Sequence, residues 1–418
     1  MTQPTKTEIL IIGGGVIGAC IAYDLSLRGR DVTLLESRDI CAGSSHGNAG
    51  WVAVDHSIPT AAPGVLTQGL KWLLDPGSPF YIKPRLDLNL VHWLWQFQAA
   101  CHPKRLTRNL PILATLNMAS LALFETLADQ PDLAFDYGRK GLLHLYLTEK
   151  GFEKGLKEAE LQQACGIEAL PQNRDEIQAL EPAVRDSIYH GIYYPQPTNL
   201  RPDRLVKSLA VAAEHRGANI CTHSEVIDFT VSGKHIKTVT TTKGVFVAEQ
   251  VVLAAGAWSA PLARQLGFRL AVQPAKGYSF TSRHPKNCPQ TPLSLTDHKI
   301  ALTPMGDWFR FSSTLELSGL DHSINQRRLA ATREGIKHYL PGMDNLDIIE
   351  IWRGFRPLTP DGLPIIGHSQ KLDNLILATG HGMLGVTQGP ITGKLVTQLI
   401  MNEDPDLDLI PFQPARFG

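Results

Sequence analysis

The chain begins with a strand pattern, a helical pattern and a second strand pattern in direct succession. Residues 8–12 form a nearly continuous apolar run, which predicts a buried strand. Apolar residues then recur at helical spacing over residues 18–28, and Val32 and Leu34 alternate with polar residues over residues 31–36. This order predicts a β-α-β unit with a glycine-rich turn between the first strand and the helix.

The pattern of hydrophobic and polar positions changes several times after this β-α-β unit. Residues 60–135 combine prolines with helical apolar spacing at 88–101 and 110–128, which predicts an inserted helical region. Short strands are predicted at 142–147, 191–194, 226–231, 237–242, 245–247 and 251–256, with helices at 150–165 and 203–216. Residues 270–355 are rich in strand patterns, and a last helix is predicted at 390–401.

These patterns predict an α/β (α+β) protein with two interleaved domains. Sequence typical of a nucleotide-binding domain occurs at residues 1–60, 200–265 and 355–418. Residues 61–199 and 266–354 are predicted to form a substrate-binding domain that carries the helical insert.

Composition narrows the class of protein. The 418 residues are 43% hydrophobic and 19% charged, with 40 basic and 40 acidic side chains, so there is no basic surface for nucleic acid. The six cysteines form no C-x-x-C pair, which predicts reduced thiols and no metal site.

We expect no signal peptide and no transmembrane helix, since residues 1–8 lack a dense basic region and no window reaches about 18 consecutive apolar residues. A cytoplasmic protein is therefore expected.

A dinucleotide fingerprint lies in the first turn. Gly13, Gly15 and Gly18 form G-x-G-x-x-G between the first predicted strand and helix, and Glu36 closes the second strand. The glycines allow a tight turn, close approach to a pyrophosphate and close packing of helix on strand, while the helix N-terminus attracts phosphate. Glu36 is placed to accept from ribose hydroxyls. We predict that this turn, including Val16 and Ile17, binds a dinucleotide.

Two other segments favour FAD over NAD. A polar, glycine-rich loop at residues 44–50 follows the second strand, where an NAD domain usually begins another helix. Small residues end the strand at 251–256, where backbone can lie against a cofactor. The predicted cofactor contacts in these regions are Ser44, Ser45, Asn48, Ala49, Gly50, Val226, Ala255, Gly256 and Trp258.

Taken together with three later blocks, these residues resemble the D-amino-acid oxidase superfamily, and most closely bacterial D-amino-acid dehydrogenases of the small-subunit type. The blocks are P-A-K-G-Y-S at 274–279, W-R-G-F-R-P-L-T-P-D-G at 352–362 and T-G-H-G-M-L-G at 379–385. The resemblance implies a Rossmann-like FAD domain and an antiparallel substrate sheet. It also implies that a final segment approaches the flavin ring, namely Gly380, His381, Gly382, Met383, Leu384 and Gly385.

The resemblance also suggests residues that handle substrate. Arg356 matches the position of a carboxylate-binding arginine, a natural bidentate partner for an amino acid. Arg310 is either a second such arginine or a charge at a sheet edge, and Tyr278 is either a pocket residue or an ordinary strand tyrosine. His46 lies in the loop expected beside the flavin, where it either tunes the chemistry or caps the loop.

The expected function is FAD-dependent oxidative deamination of a small amino acid, and the resemblance favours a D-amino acid. Hydride would pass from Cα to flavin N5, and the imino acid would hydrolyse to a 2-oxo acid and ammonia. Electrons would pass to quinone or another carrier. Alternatives are an oxidase of the glycine, sarcosine or proline type, a non-catalytic flavin subunit and a nicotinamide-dependent enzyme. Residues 195–202 and 385–387 depart from the family pattern, which leaves the substrate side chain open.

The helical insert is rich in apolar and aromatic residues. Such a surface is either core or a peripheral contact with the inner face of the cell membrane. The residues concerned are Trp72, Leu73, Leu74, Trp93, Leu94, Trp95 and Phe97.

Overall fold

The structure, a computed structural model, describes residues 3–65, 78, 80–343 and 345–417. Trp72, Leu73 and Leu74 lie outside the described residues. The helices are α1 (Val16–Leu27), α2 (Leu88–Ala100), α3 (Pro103–Ala128), α4 (Glu149–Gln163), α5 (Arg174–Leu180), α6 (Pro202–His215), α7 (Ser259–Gln265), α8 (Gln326–Lys337) and α9 (Gly385–Ile400).

The strands range from two to eleven residues, and those of ten residues or more lie in the second half of the chain. They are β1 (Thr5–Ile12), β2 (Val32–Leu35), β3 (Trp51–Val52), β4 (Phe80–Ile82), β5 (Leu142–Tyr146), β6 (Leu170–Gln172), β7 (His190–Tyr194), β8 (Thr198–Asn199), β9 (Asn219–Cys221), β10 (Val226–Ser232), β11 (His235–Thr241), β12 (Gly244–Leu253), β13 (Gln273–Arg283), β14 (Leu293–Leu295), β15 (Ile300–Met305), β16 (Trp308–Leu317), β17 (Ile348–Leu358), β18 (Ile365–His368) and β19 (Leu375–Thr379).

The first sheet is the nucleotide-binding half of the fold. Its parallel strands run in the order β9-β2-β1-β12-β19, with β18 and the β10-β11 hairpin added antiparallel. All of β2 and most of β1 are buried, which explains their continuous apolar runs. Helices α1, α6 and α9 pack on one face around a common apolar core. The predicted Rossmann-like arrangement is confirmed.

The second sheet is mainly antiparallel, in the order β17-β13-β16-β15-β14-β5-β7-β6. Side chains alternate between its two faces. One face, called the core face here, carries Tyr278, Phe280 and Phe311, which pack with Leu329 and Ile336 of α8. The other, called the cavity face, looks toward the first sheet. The antiparallel substrate sheet implied by the resemblance is present.

The long helix α3 differs from the prediction. The sequence placed it in the substrate-binding domain, yet Leu113, Leu116 and Phe124 pack in the core around α1 and α9. Its length and hydropathy are also sufficient to cross a membrane. Those apolar residues are buried against the nucleotide-binding half, so one side of α3 packs in its core, while 39% of the most apolar 18-residue stretch of the helix is buried.

Several predicted boundaries shift for local reasons. The strands predicted at 245–247 and 251–256 are one strand, β12, which pairs with β11 at its start and with β19 at its end. Helix α9 begins at Gly385 although Pro390 suggested a later start. Pro390 is the sixth residue of α9 and lies inside the helix, where it removes one backbone N–H hydrogen bond. The six cysteines are all free.

Candidate FAD and substrate site

A large cavity lies between the two sheets. Its volume is about 1470 Å³, which exceeds the range of about 300–1000 Å³ for most small-molecule pockets. One end is lined by the fingerprint turn, and the other by the cavity face of the second sheet. There is room for a dinucleotide together with a small substrate.

The fingerprint turn has the geometry that a pyrophosphate requires. Gly13 has φ +117°, and a Cβ there would come within 2.6 Å of the Ala254 carbonyl oxygen. A Cβ at Gly18 would collide with the carbonyl oxygen of Gly13, which explains how α1 approaches β1 so closely. Gly15 is the N-cap of α1 and supplies no side-chain cap. Apart from the Val16 N–H, which donates to Ser45 Oγ at 3.0 Å, the first N–H groups of α1 therefore remain available to an anion.

Glu36 both supports this turn and faces the cavity. Its Oε2 accepts from the Gly14 N–H at 2.8 Å, and its Oε1 accepts from the Arg38 N–H at 2.9 Å. A carboxylate offers about four acceptor positions, so acceptor capacity remains for a ribose hydroxyl. Val226 lines the cavity nearby. These residues fit the nucleotide end of FAD.

The loop at residues 44–50 is held against the second sheet by several bonds. Ser44 Oγ donates to the Phe355 carbonyl at 2.5 Å, and Thr303 Oγ1 donates to the Ala49 carbonyl at 2.7 Å. Ser45 Oγ accepts from the Val16 N–H at 3.0 Å, which joins the loop to α1. The loop therefore spans both sheets and forms one wall of the cavity.

Arg310 supports this loop from behind. It is fully buried, and its Nη1 donates to the carbonyls of His46 at 2.6 Å and Asn48 at 3.1 Å. Its Nε donates to Thr281 at 3.0 Å, and Glu350 lies 3.6 Å from Nη2. Arg310 does not line the cavity. The structure thus favours a positioning role over a second carboxylate-binding role.

His46 is likewise turned away from the cavity. Its Nε2 lies 2.8 Å from Glu350 Oε1, and its ring lies beside Trp352. This hydrogen bond is the main cause that lowers the pKa of Glu350 below its usual range. Since His46 is absent from the cavity wall, direct contact with a substrate is not supported.

The glycine-rich segment at residues 380–385 lines the cavity and leads into α9. Gly380 and Gly382 have φ of +79° and +56°, which favour glycine. The N-cap of α9, Leu384, supplies no side-chain cap, so this helix also presents free N–H groups. His381 hydrogen-bonds Thr392 at 3.0 Å, and burial lowers its pKa to about 3, so its imidazole is neutral.

Most of the predicted cofactor residues line this one cavity. Gly18 and Gly50 do not, because Gly18 packs helix on strand and Gly50 packs against the Leu200 carbonyl. Those that do are Gly13, Gly15, Val16, Ile17, Glu36, Ser44, Ser45, Asn48, Ala49, Val226, Ala255, Gly256, Trp258, Gly380, His381, Gly382, Met383, Leu384 and Gly385.

Arg356 lies on the cavity face with its guanidinium over Gly277. A Cβ at Gly277 would collide with that guanidinium, so the missing side chain lets Arg356 lie flat across β13. Nη1 donates to the Thr314 carbonyl at 2.6 Å. No carboxylate among the described residues lies within 4.0 Å, and burial lowers the pKa of Arg356 to about 10. A partly buried cation without a counter-ion is suited to bind an anionic group.

Tyr278 points to the other face of the sheet. It pairs with Arg353, while Gly277 pairs with Gly354 and Ala275 pairs with Arg356, so Tyr278 and Arg356 lie on opposite faces. Its hydroxyl accepts from the Asn325 N–H at 3.1 Å, and the ring packs in the core under α8. Tyr278 is among the residues that line the cavity, but because its hydroxyl bonds Asn325 on the core face, the structure favours the ordinary strand tyrosine over a substrate-binding role.

A polar cluster at the far end of the cavity was not predicted. Asp55 is buried, and its Oδ2 accepts from His56 Nδ1 at 2.8 Å and from His144 Nε2 at 2.9 Å. Their potential ligand atoms lie within 4.8 Å of one another. His144 is 88 positions beyond His56 in the chain, so only the pairing of β5 with its neighbours brings the two together.

Comparison with known proteins gives consistent results. Residues 8–399 match the family model of FAD dependent oxidoreductases. The D-amino acid dehydrogenase of Rhizobium rhizogenes is 31% identical, covering 98% of this chain and 100% of its own length, and that of Helicobacter pylori J99 is 32% identical, covering 94% and 95%. The crystal structure of glycine oxidase from Geobacillus kaustophilus aligns with a TM-score of 0.80 and 25% identity, covering 99% of both chains.

Proposed function

The chain belongs to the family of FAD-dependent oxidoreductases, and from this premise we propose that it oxidises the Cα–N bond of small D-amino acids as a dehydrogenase. The proposal names a substrate class, a handedness and a type of acceptor.

The observation that carries the proposal is the unpaired guanidinium of Arg356. It faces a cavity that also contains the uncapped N-terminus of α9 and the glycines at 380–385. A substrate carboxylate would supply the missing counter-ion through a bidentate hydrogen-bonded pair. An amino acid held in this way has its Cα fixed beside the cofactor wall.

The residues contribute orientation and electrostatics. When bound, FAD supplies the redox chemistry by accepting a hydride from the substrate's Cα at its N5 atom. Arg356 holds the carboxylate, and the loop at residues 44–50 and the second sheet enclose the reacting atoms and exclude water. The free N–H groups of α9 stabilise negative charge that develops near its N-terminus. A neutral substrate amine needs no protein base, and the imino acid product hydrolyses in water to a 2-oxo acid and ammonia.

The handedness of the substrate follows from the relatives. Proteins about 31% identical over nearly the whole length are named D-amino acid dehydrogenases. The glycine oxidase that shares the fold supports a small substrate, since its name specifies glycine.

We further propose that the enzyme works in the cytoplasm at the inner face of the membrane and passes electrons to quinone. Helix α2 supports this idea, because Leu88, Val91 and Trp95 are exposed on one side. On its other side, Trp93 and Phe97 line the cavity. One helix thus lies between the cavity and an exposed apolar surface of the kind that binds a membrane interface.

The first experiment is anaerobic mixing of the purified protein with D- and L-amino acids, including glycine, sarcosine and proline. Loss of the flavin absorbance with D-amino acids is expected. Loss with L-amino acids alone would overturn the handedness, and none with any amino acid would overturn the substrate class. Rapid peroxide formation on admitting air would favour an oxidase over a dehydrogenase.

Membrane contact is tested separately by flotation with vesicles of anionic phospholipid. The variant with Leu88, Val91 and Trp95 all changed to serine is expected to lose flotation while its turnover with a soluble acceptor stays normal. Equal flotation of both proteins, or none of the wild type, would contradict the membrane proposal.

A further inference from the structure

The cluster of Asp55, His56 and His144 lines the cavity but has no part in the chemistry described above. Asp55 is fully enclosed, whereas the His56 side chain is 32% exposed, toward the cavity. The ring of His56 lies 5.6 Å from that of Trp51, and the ring of His144 lies 4.8 Å from that of Tyr194. The two imidazoles are thus fixed by a shared carboxylate and by aromatic neighbours.

The cluster and Arg356 share one face of the second sheet. A row of paired residues crosses the sheet through Trp352, Ser279, Ser312, Ala301, Ser294 and His144. Paired residues on neighbouring strands point to the same face, and Arg356 shares that face because it lies four residues from Trp352. His144 therefore looks into the same space as the proposed carboxylate-binding group.

The separation suits a single small ligand. Arg356 hydrogen-bonds β16, and β5 lies three strands away, about 14 Å at the usual spacing of neighbouring strands. Between them the floor consists of Ser312, Ala301 and Ser294, whose small side chains leave the space open. The long side chain of Arg356 and the histidine cluster above β5 shorten this gap from both ends. An amino acid with a short polar side chain can bridge the remaining distance between the Arg356 guanidinium and the histidine cluster.

The cluster leaves one imidazole nitrogen, His56 Nε2, without a hydrogen-bond partner among the described residues. Burial alone would lower the pKa of His56, but the charge of Asp55 outweighs it and raises that pKa. Burial lowers the pKa of His144, which stays neutral and donates its Nε2 proton to Asp55. His56 Nδ1 also donates to Asp55. Its Nε2 has no hydrogen-bond partner among the described residues, and in the protonated ring, which the raised pKa favours, it carries a proton that it can donate into the cavity. Other charges line this end of the cavity in balanced number, namely Lys154, Lys299, Glu158 and Asp297.

We propose that His56, positioned by Asp55 and His144, binds an oxygen acceptor at the end of the substrate's side chain and so determines specificity. This inference rests on the proposed function, because it assumes that Arg356 holds the carboxylate of the same molecule. The preferred substrates are then D-amino acids whose side chains carry a hydroxyl, carboxamide or carboxylate oxygen.

The test uses pairs of substrates of similar shape that differ in that oxygen. D-threonine is compared with D-valine, and D-asparagine with D-leucine, by kcat/KM with an artificial acceptor. A buried donor that loses its acceptor disfavours the apolar member, by about 10- to 100-fold. This preference is expected in the wild-type protein.

The variant His56→Phe is expected to reduce the preference to about one, because kcat/KM rises for the apolar member and falls for the acceptor-bearing member. His56→Gln retains a donor and should restore part of the preference. His284→Phe is the matched control, because His284 is exposed and its Nε2 is bonded to the Trp308 carbonyl. FAD content and melting temperature of each variant show whether it has folded.

The outcomes separate the two proposals. If the wild-type protein oxidises amino acids but does not prefer those whose side chains carry an oxygen acceptor, the role of His56 is overturned and the proposed function stands. A preference that survives in His56→Phe does the same. Protein whose flavin is reduced by no amino acid overturns the proposed function and this inference together.

Discussion

Replacing Arg356 by methionine separates a substrate-binding arginine from a structural one. Methionine keeps much of the volume but removes the charge and its donors. The variant loses one bond to the Thr314 carbonyl, which contributes about 1 kcal/mol. It also removes a partly buried cation whose pKa burial lowers to about 10, and removal of this disfavoured charge stabilises the folded protein at neutral pH. The free energy of unfolding should therefore be unchanged or higher.

The activity of Arg356→Met, in contrast to its stability, should fall. Loss of a charge-assisted, bidentate pair is expected to cost about 2–4 kcal/mol in kcat/KM, or roughly 30- to 1000-fold. Most of the change should be in KM, because the carboxylate is bound in the ground state as well. Steady-state kinetics with an artificial acceptor measure the activity, and thermal melting of the same samples measures stability.

Arg353→Met is the matched control for this variant. Arg353 lies on the same strand but points to the opposite face, where its Nε donates to the His322 carbonyl. Its replacement should leave kcat/KM nearly unchanged. The reasoning is refuted if Arg356→Met has normal kinetics, or if its melting temperature falls while kcat/KM changes only in proportion to the folded fraction.

Three further outcomes are expected. Gly277→Ala should raise KM for the amino acid without loss of FAD, since the new Cβ displaces the Arg356 guanidinium. A normal KM in a folded variant would contradict the position of the Arg356 guanidinium over Gly277. Arg310→Met should lower the melting temperature and the FAD content together, because it leaves Thr281 Oγ1 and the carbonyls of His46 and Asn48 without their donor. Retained FAD and stability would exclude a positioning role for Arg310. The raised pKa of His56 should stabilise the fold fully below about pH 6.5 and progressively less as pH rises through that pKa. Melting curves across this range should show the loss in the wild type but not in Asp55→Asn, and identical profiles would contradict the ion pair.

The nucleotide end of the site could be predicted from sequence because its residues act locally. Gly13, Gly15 and Gly18 lie within one turn, and Glu36 follows at a spacing fixed by one helix and one strand. The close contacts at Gly13 and Gly18 are the physical reason for those glycines. Backbone geometry over such a short stretch leaves little for the rest of the fold to change.

The substrate end could be predicted only in part. Arg356 was indicated by its motif, but the sequence left the roles of Arg310, Tyr278 and His46 open. Whether a strand residue faces the cavity depends on the register and on bulges, such as the shift between Lys276 and Tyr278 on β13. One step along a strand reverses the face. The tertiary pairing therefore decided which side chains reach the substrate.

The sequence by itself determined the dinucleotide turn and the strand and helix classes of the main segments, because these features depend on residue type and on spacing within one or two elements. The arginine suited to a carboxylate was indicated by the resemblance of its motif to that of a known family. Only the tertiary structure decided that α3 belongs to the nucleotide-binding core, that Arg310 supports a loop, and that Asp55 and His144 meet in the cavity. These facts depend on which surfaces of distant segments are buried against each other, and burial of a face is a property of the whole fold.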